Sequence, residues 1–182
     1  MPRMSYADYK ALERSSPERH EFLRGEVCAI GGGSPSHSFI AANIAVAFGQ
    51  ALKGKPCSVF TSDLRVRVVE TDRTTSPDVT VVCGKRQLAP DDEDAVTNPV
   101  LIVEVLSDST EASDRGEKFA HLQRLASLQE YVLVSQHGRR IEVFRRSESP
   151  TWTLIPHTEG RVELKSVAAA LDMADVYADP TA

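Results

Sequence analysis

The chain has 182 residues, enough for one ordinary domain and too few for two, so a single domain over 1–182 is expected. Lys and Arg total 21 against 26 Asp and Glu, a formal net charge of -5, which argues against a general nucleic-acid coat but leaves room for a local basic groove. Hydrophobic residues make up 41% and charged residues 26%, so a core can close; runs such as Val100–Val103 are far too short to span a bilayer, and no apolar segment follows a basic start. A cytoplasmic protein with no membrane association is the expectation.

Residues 5–14 read as a helix, with Ser5 and Asp8 in the S-x-x-D capping pattern and Ser15-Ser16-Pro17 as the break. Residues 20–30 read as two short strands about a turn at Arg24-Gly25. Gly31-Gly32-Gly33 with Pro35 is a flexible connection, and the absence of a following Gly-Lys-Ser/Thr makes a phosphate loop a poor reading of it. Ile40, Ile44, Phe48 and Leu52 recur at helical spacing and predict a helix over 36–52.

Residues 57–69 alternate as one strand, with Phe60, Leu64, Val66 and Val68 on one face and Asp63, Arg65 and Arg67 on the other. A polar loop, TDRTTS, leads to a strand over 77–83, and an acidic loop fills 85–99. VLIVEVL at 100–106 is nearly continuously apolar, as a strand buried on both faces would be. A helix over 110–126 follows, then strands at 130–135, 139–146, 152–156 and 162–164, and a last helix near 166–171. The pattern predicts a mixed α/β (α+β) sheet with helices packed on it. Cys28, Cys57 and Cys83 form no CxxC pair and are odd in number, so small buried hydrophobes rather than a disulfide framework or zinc knuckle are expected.

Three residues carry the candidate chemistry. Glu104 lies inside the apolar run, where a carboxylate is costly unless paired or metal-bound; an ion pair or exposure at the strand's end is the structural alternative. Asp78 follows Pro77 at a strand start, which is also ordinary turn chemistry. If strands 78–83 and 100–106 run antiparallel side by side, the two carboxylates converge, and oxygen-only ligands there suit Mg²⁺ or Mn²⁺. Lys118 falls roughly 40° around its helix from Leu122, at the border of the buried stripe, although an i,i+4 pair with Asp114 or a snorkelling side chain is the simpler reading of the position alone. His37 at a helix start and Glu21 in HEFLRGE are weaker candidates. SDST at 107–110 lacks a G-x-S-x-G setting, and Tyr131 and Trp152 read as sheet aromatics.

Together E-F-L-R-G-E at 21–26, His37, S-P-D-V at 76–79, I-V-E-V-L-S-D-S-T at 102–110, D-R-G-E-K-F at 114–119 and E-Y-V-L-V at 130–134 resemble the Uma2 family of the PD-(D/E)XK nuclease superfamily, over nearly the whole chain. The resemblance implies a restriction-endonuclease-like fold, a central mixed sheet flanked by helices. It implies a metal site of Asp78, Glu104 and the backbone carbonyl of Val105, with Lys118 as the catalytic lysine and Glu21 and His37 as accessory residues. Two positions depart from the pattern: Leu106 stands where the ExK lysine belongs, and Leu122 where the helix often carries Tyr. The implied activity is Mg²⁺- or Mn²⁺-dependent phosphodiester hydrolysis of nucleic acid, DNA in the first instance, with Arg65 and Arg67 as candidate backbone contacts. A homodimer would serve to cut both strands of a duplex. Two rival readings stay open: an inactive nuclease-fold binding protein, and a metal-dependent hydrolase of another phosphate substrate.

Overall fold

The structure, a computed structural model, describes residues 3–147 and 151–179. Ser5 caps α1 (Tyr6–Ser15), accepting a hydrogen bond from the Asp8 N–H. Strands β1 (His20–Leu23) and β2 (Glu26–Ala29) form a hairpin whose turn residues, Arg24 and Gly25, both take positive φ, as a tight two-residue turn requires. Ser34 caps α2 (Pro35–Ala51), which buries Ile40, Ile44 and Phe48.

The alternating stretch 57–69 is not one strand. It divides at residues 62–64 into β3 (Cys57–Thr61) and β4 (Arg65–Val68), which enter different sheets. Alternation reports the pleat and is blind to a turn that keeps its phase. The polar stretch after it turns through a 3₁₀ segment (Val69–Thr71) into β5 (Arg73–Thr75), all three of whose residues are buried. Next come β6 (Val79–Cys83), β7 (Leu88–Ala89), β8 (Asp92–Val96) and β9 (Leu101–Leu106). The acidic loop thus contains two strands of its own.

The helix expected over 110–126 breaks at Gly116 into α3 (Glu111–Arg115) and α4 (Glu117–Leu122). Strands β10 (Glu130–Ser135), β11 (Ile141–Arg146), β12 (Trp152–His157) and β13 (Arg161–Leu164) follow. The last predicted helix is instead a 3₁₀ turn (Lys165–Val167), then β14 (Ala169–Asp172) and α5 (Met173–Val176).

Among the described residues the strands form two six-stranded sheets, ordered β2-β1-β5-β4-β8-β7 and β12-β11-β10-β9-β6-β3, and a small β13-β14 pair. All six residues of β9 are buried; it pairs parallel to β10 and antiparallel to β6. One face of that sheet (Val79, Val103, Val105, Val132) packs on Ile40, Ile44 and Phe48 of α2. The other (Ile102, Leu106, Tyr131, Leu133) packs on Phe119 and Leu122 of α4 and on Val66 and Val68 of the other sheet. Tyr131 stacks on Phe119 at 4.7 Å and donates its hydroxyl to the Asp114 carbonyl, which pins α3 and α4 to the sheet.

Two expectations change. Cys57 and Cys83 are direct partners across β3 and β6 and form a disulfide, while Cys28 is exposed. Their sequence spacing of 26 concealed a pairing that strand register makes. Arg65 and Arg67 turn inward. Arg65 forks onto Asp92, and Arg67 pairs with Asp91 and Asp72 while lying over the Tyr6 ring at 3.7 Å. These ion pairs engage both guanidinium groups inside the protein.

Asp92 also accepts from the Tyr6 hydroxyl and the Asp94 N–H. Burial pushes its carboxyl upward, but those donors and Arg65 hold it below the ordinary value. A carboxyl held low in the folded state adds stability above the carboxylate range and loses it as pH falls through the folded value. Asp92→Asn is therefore expected to cost about 2–4 kcal/mol in urea unfolding at neutral pH. The gap to wild type should narrow below about pH 4. An unchanged gap in acid would show that shape, not charge, supplies the effect.

Candidate active site

Asp78 and Glu104 meet as the strand pairing requires. Val79 is the partner of Val103, so Asp78 falls opposite Glu104 on the sheet face that looks toward α4. The Val105 N–H donates to Asp78 Oδ2 at 2.7 Å, and the Asp78 N–H to Glu104 Oε2 at 3.4 Å. Each carboxylate is thus oriented by the other strand's backbone.

Lys118 comes from α4, its side chain almost fully buried. Its Nζ lies 3.3 Å from Glu104, 3.0 Å from Glu21 and 2.6 Å from Asp114. The i,i+4 pair with Asp114 is therefore present, and it coexists with the contacts to Glu104 and Glu21. Leu106, at the position of the missing lysine, packs in the core beside Phe119 and Leu122. The cation reaches Glu104 from the neighbouring helix instead.

Glu21 arrives from β1 of the other sheet. Arg73 donates to its Oε2 at 2.7 Å, and the Thr75 hydroxyl donates to Oε1. Arg73, Thr75 and Asp114 are site residues that the sequence did not mark. Arg73 and Thr75 stood in a stretch that looked like a solvated loop, and Asp114 looked like a surface partner of Lys118. His37 Nε2 lies 3.2 Å from Asp78 Oδ2. Its ring rests on Gly33, where an added Cβ would come within 2.5 Å of Nδ1, so the glycine makes room for it.

Four carboxylates (Glu21, Asp78, Glu104 and Asp114) thus gather where only two side chains are permanent cations: Lys118 meets Glu21, Glu104 and Asp114, Arg73 meets Glu21, and Asp78 has His37. The electrostatics follow. Burial, then repulsion from Asp114, Asp78 and Glu21, pushes the Glu104 carboxyl well above its usual range against the pull of Lys118. Burial alone would lower the Lys118 ammonium, but Glu104, Glu21 and Asp114 outweigh it and drive it up, so the lysine stays charged. Burial also opposes the charge of Glu21, yet Lys118, Arg73 and Thr75 keep its carboxyl low. The hydrogen bond to Asp78, helped by that residue's charge and the Val105 carbonyl, lifts His37 against its partial burial.

Among the described residues no three His, Cys, Asp or Glu side chains form a ready-made metal shell. The oxygens that do converge are two carboxylates, Asp78 and Glu104, next to the backbone of Val105. That set fits Mg²⁺, which commonly takes one or two carboxylates and fills its remaining positions with water and substrate phosphate.

Residues 6–174 match Uma2, a family described as "Putative restriction endonuclease". The chain belongs to the Uma2 family. Relatives of this chain in Synechocystis sp. (strain ATCC 27184 / PCC 6803 / Kazusa) include the uncharacterized protein slr1290, 36% identical over 177 residues, covering 97% of this chain and 92% of that one. A second, the uncharacterized protein sll1609, is 31% identical over 151 residues, covering 83% and 85%. The crystal structure of a putative nuclease of DUF820 from Anabaena variabilis superposes with a TM-score of 0.72 at 19% identity, over 90% of this chain and 94% of that one. The Uma2 chain described here thus has the restriction-endonuclease-like fold, a mixed α+β arrangement. Among the described residues no helix is long and apolar enough to cross a membrane.

Proposed function

We propose that this chain is a metal-dependent endonuclease that hydrolyses phosphodiester bonds of DNA. One observation carries the proposal: a buried Glu104 set between Asp78 and a charged Lys118, in a pocket where carboxylates outnumber permanent cations. Asp78, Glu104 and the Val105 carbonyl would hold Mg²⁺ or Mn²⁺. Bound there, the ion would neutralise charge on the phosphate oxygens and make a nearby water more acidic.

The chain's own residues do the rest. Lys118, held charged by three carboxylates, is an electrostatic donor to the developing negative charge and not a proton acceptor. Glu21 and Asp114 fix its direction, and Arg73 fixes Glu21. His37 steadies Asp78 at Oδ2, the oxygen that also accepts the Val105 N–H. The same proposal includes a cytoplasmic location and, for cutting both strands of a duplex, two copies acting together.

The test is Mn²⁺ titration calorimetry and plasmid nicking on wild type and Asp78→Asn. Wild type should bind the ion and nick, and Asp78→Asn should lose both. Metal binding with no cleavage of any nucleic acid would turn the reading toward an inactive nuclease-fold binding protein. No metal binding by wild type would sink the site.

A further inference from the structure

A chain of net charge -5 needs a local cationic surface to receive a polyanion. Most of its arginines are spoken for. Arg65 and Arg67 hold Asp92 and Asp91, Arg115 and Arg140 hold Glu142, and Arg145 holds Glu130. Those guanidiniums are structural.

Two exposed arginines differ, and both continue an element that delivers a site residue. Strand β1 carries Glu21 and runs straight on to Arg24 at its turn. Helix α4 carries Lys118 and His121, and Arg124 lies in the turn two residues past its end. Arg24 Nε donates to the Thr71 carbonyl, a neutral partner. Arg124 lies 3.8 Å from Glu70, beyond hydrogen-bonding distance, with both side chains more than half exposed. Thr71 and Glu70 belong to the same 3₁₀ turn, so the two arginines flank one short segment. Arg73 stands between that segment and the active site, donating to Glu21 and lying 3.5 Å from Glu117 on α4.

We propose that Arg24 and Arg124 form a track for the sugar–phosphate backbone of nucleic acid, leading from the 3₁₀ turn to the Lys118 end of the active site. The inference rests on the endonuclease reading and adds the direction from which the substrate approaches. The imidazole of His121 registers the same field. Partial burial holds its pKa down, and Arg73, Arg24 and Arg124 lower it further against the pull of Glu117. Glu70 and Glu117 on the strip are both solvent-exposed, so they neutralise the arginines only weakly, and Asp72 at the end of the turn is engaged by Arg67.

The experiment measures binding of a short fluorescein-labelled DNA duplex across a salt series, with Ca²⁺ in place of Mg²⁺ to prevent cleavage. Wild type is compared with Arg24→Gln/Arg124→Gln and with Arg161→Gln, which removes an exposed charge from β13. The double variant should bind about tenfold more weakly or worse near 0.1 M salt, and its log–log salt slope should fall by about 2. Arg161→Gln should match wild type. Thermal unfolding of all three confirms that each is folded. Wild-type binding with an unchanged double variant overturns the track and leaves the endonuclease reading standing. An equal loss in Arg161→Gln also overturns it, because net charge alone would then explain the effect. A wild type that binds no nucleic acid ends both.

Discussion

Lys118→Met is expected to abolish cleavage and to cost the fold about 3–5 kcal/mol, the range for removing one partner of a buried ion pair. The lysine is only 6% exposed, and its ammonium is shared by Glu21, Glu104 and Asp114 at 3.0, 3.3 and 2.6 Å. Without it three carboxylates face one another, with Arg73 reaching only Glu21. Urea unfolding reads the cost and plasmid nicking reads the loss. A second variant separates charge from shape: Lys118→Met/Glu104→Gln should regain part of the stability and none of the cleavage. Wild-type stability in the single variant would mean that the carboxylates are neutralised by something other than Lys118.

Glu104→Gln should give the opposite balance. The side chain keeps its shape and loses one charge from a centre that already carries too many. In metal-free buffer its stability should match or exceed that of wild type, since repulsion from Asp78, Asp114 and Glu21 is relieved. Cleavage should fall roughly 10³-fold, because an anionic oxygen ligand worth several kcal/mol in the transition state is replaced by a neutral amide oxygen. Mn²⁺ calorimetry should show weakened or absent binding. A variant that is badly destabilised and still binds Mn²⁺ would make Glu104 a structural partner of Lys118. Together the two substitutions ask whether the centre is arranged for stability or for chemistry, and opposite signs on stability with a shared loss of cleavage answer for chemistry.

Much of this centre was legible because it obeys strand arithmetic. A carboxylate inside VLIVEVL must be explained, and antiparallel pairing with the strand after Pro77 brings Asp78 opposite it. The border position of Lys118 was also readable, though the same position admitted a surface pair with Asp114. The resemblance to Uma2 tipped that balance, and the geometry shows both contacts at once.

The sheet that carries β1 was the illegible part. Its β5 reads Arg-Thr-Thr and its β8 begins Asp-Glu-Asp, yet Arg73, Thr74, Thr75 and Asp92 are buried. Hydrophobic periodicity cannot detect a strand whose inward face is polar and satisfied by partners distant in sequence, such as Glu21 for Arg73 and Arg65 for Asp92. The same blindness hid Arg73 and Thr75 from the site and made Arg65 and Arg67 look free for phosphate. The Cys57–Cys83 link was missed for a related reason: the spacing of two cysteines says nothing about register.

The centre draws Glu21 from one sheet, Asp78 and Glu104 from the other, and Lys118 from the helix between them. Synthesis delivers these residues in that order, so every carboxylate that faces Lys118 leaves the ribosome before the lysine does. Strand β10, the parallel neighbour of β9, follows later still. A nascent chain therefore carries the acids without their shared cation, on a β9 that lacks one of its two neighbours. Lys118 can meet Glu21 and Glu104 only once translation has passed the middle of the chain and both sheets have closed on α4.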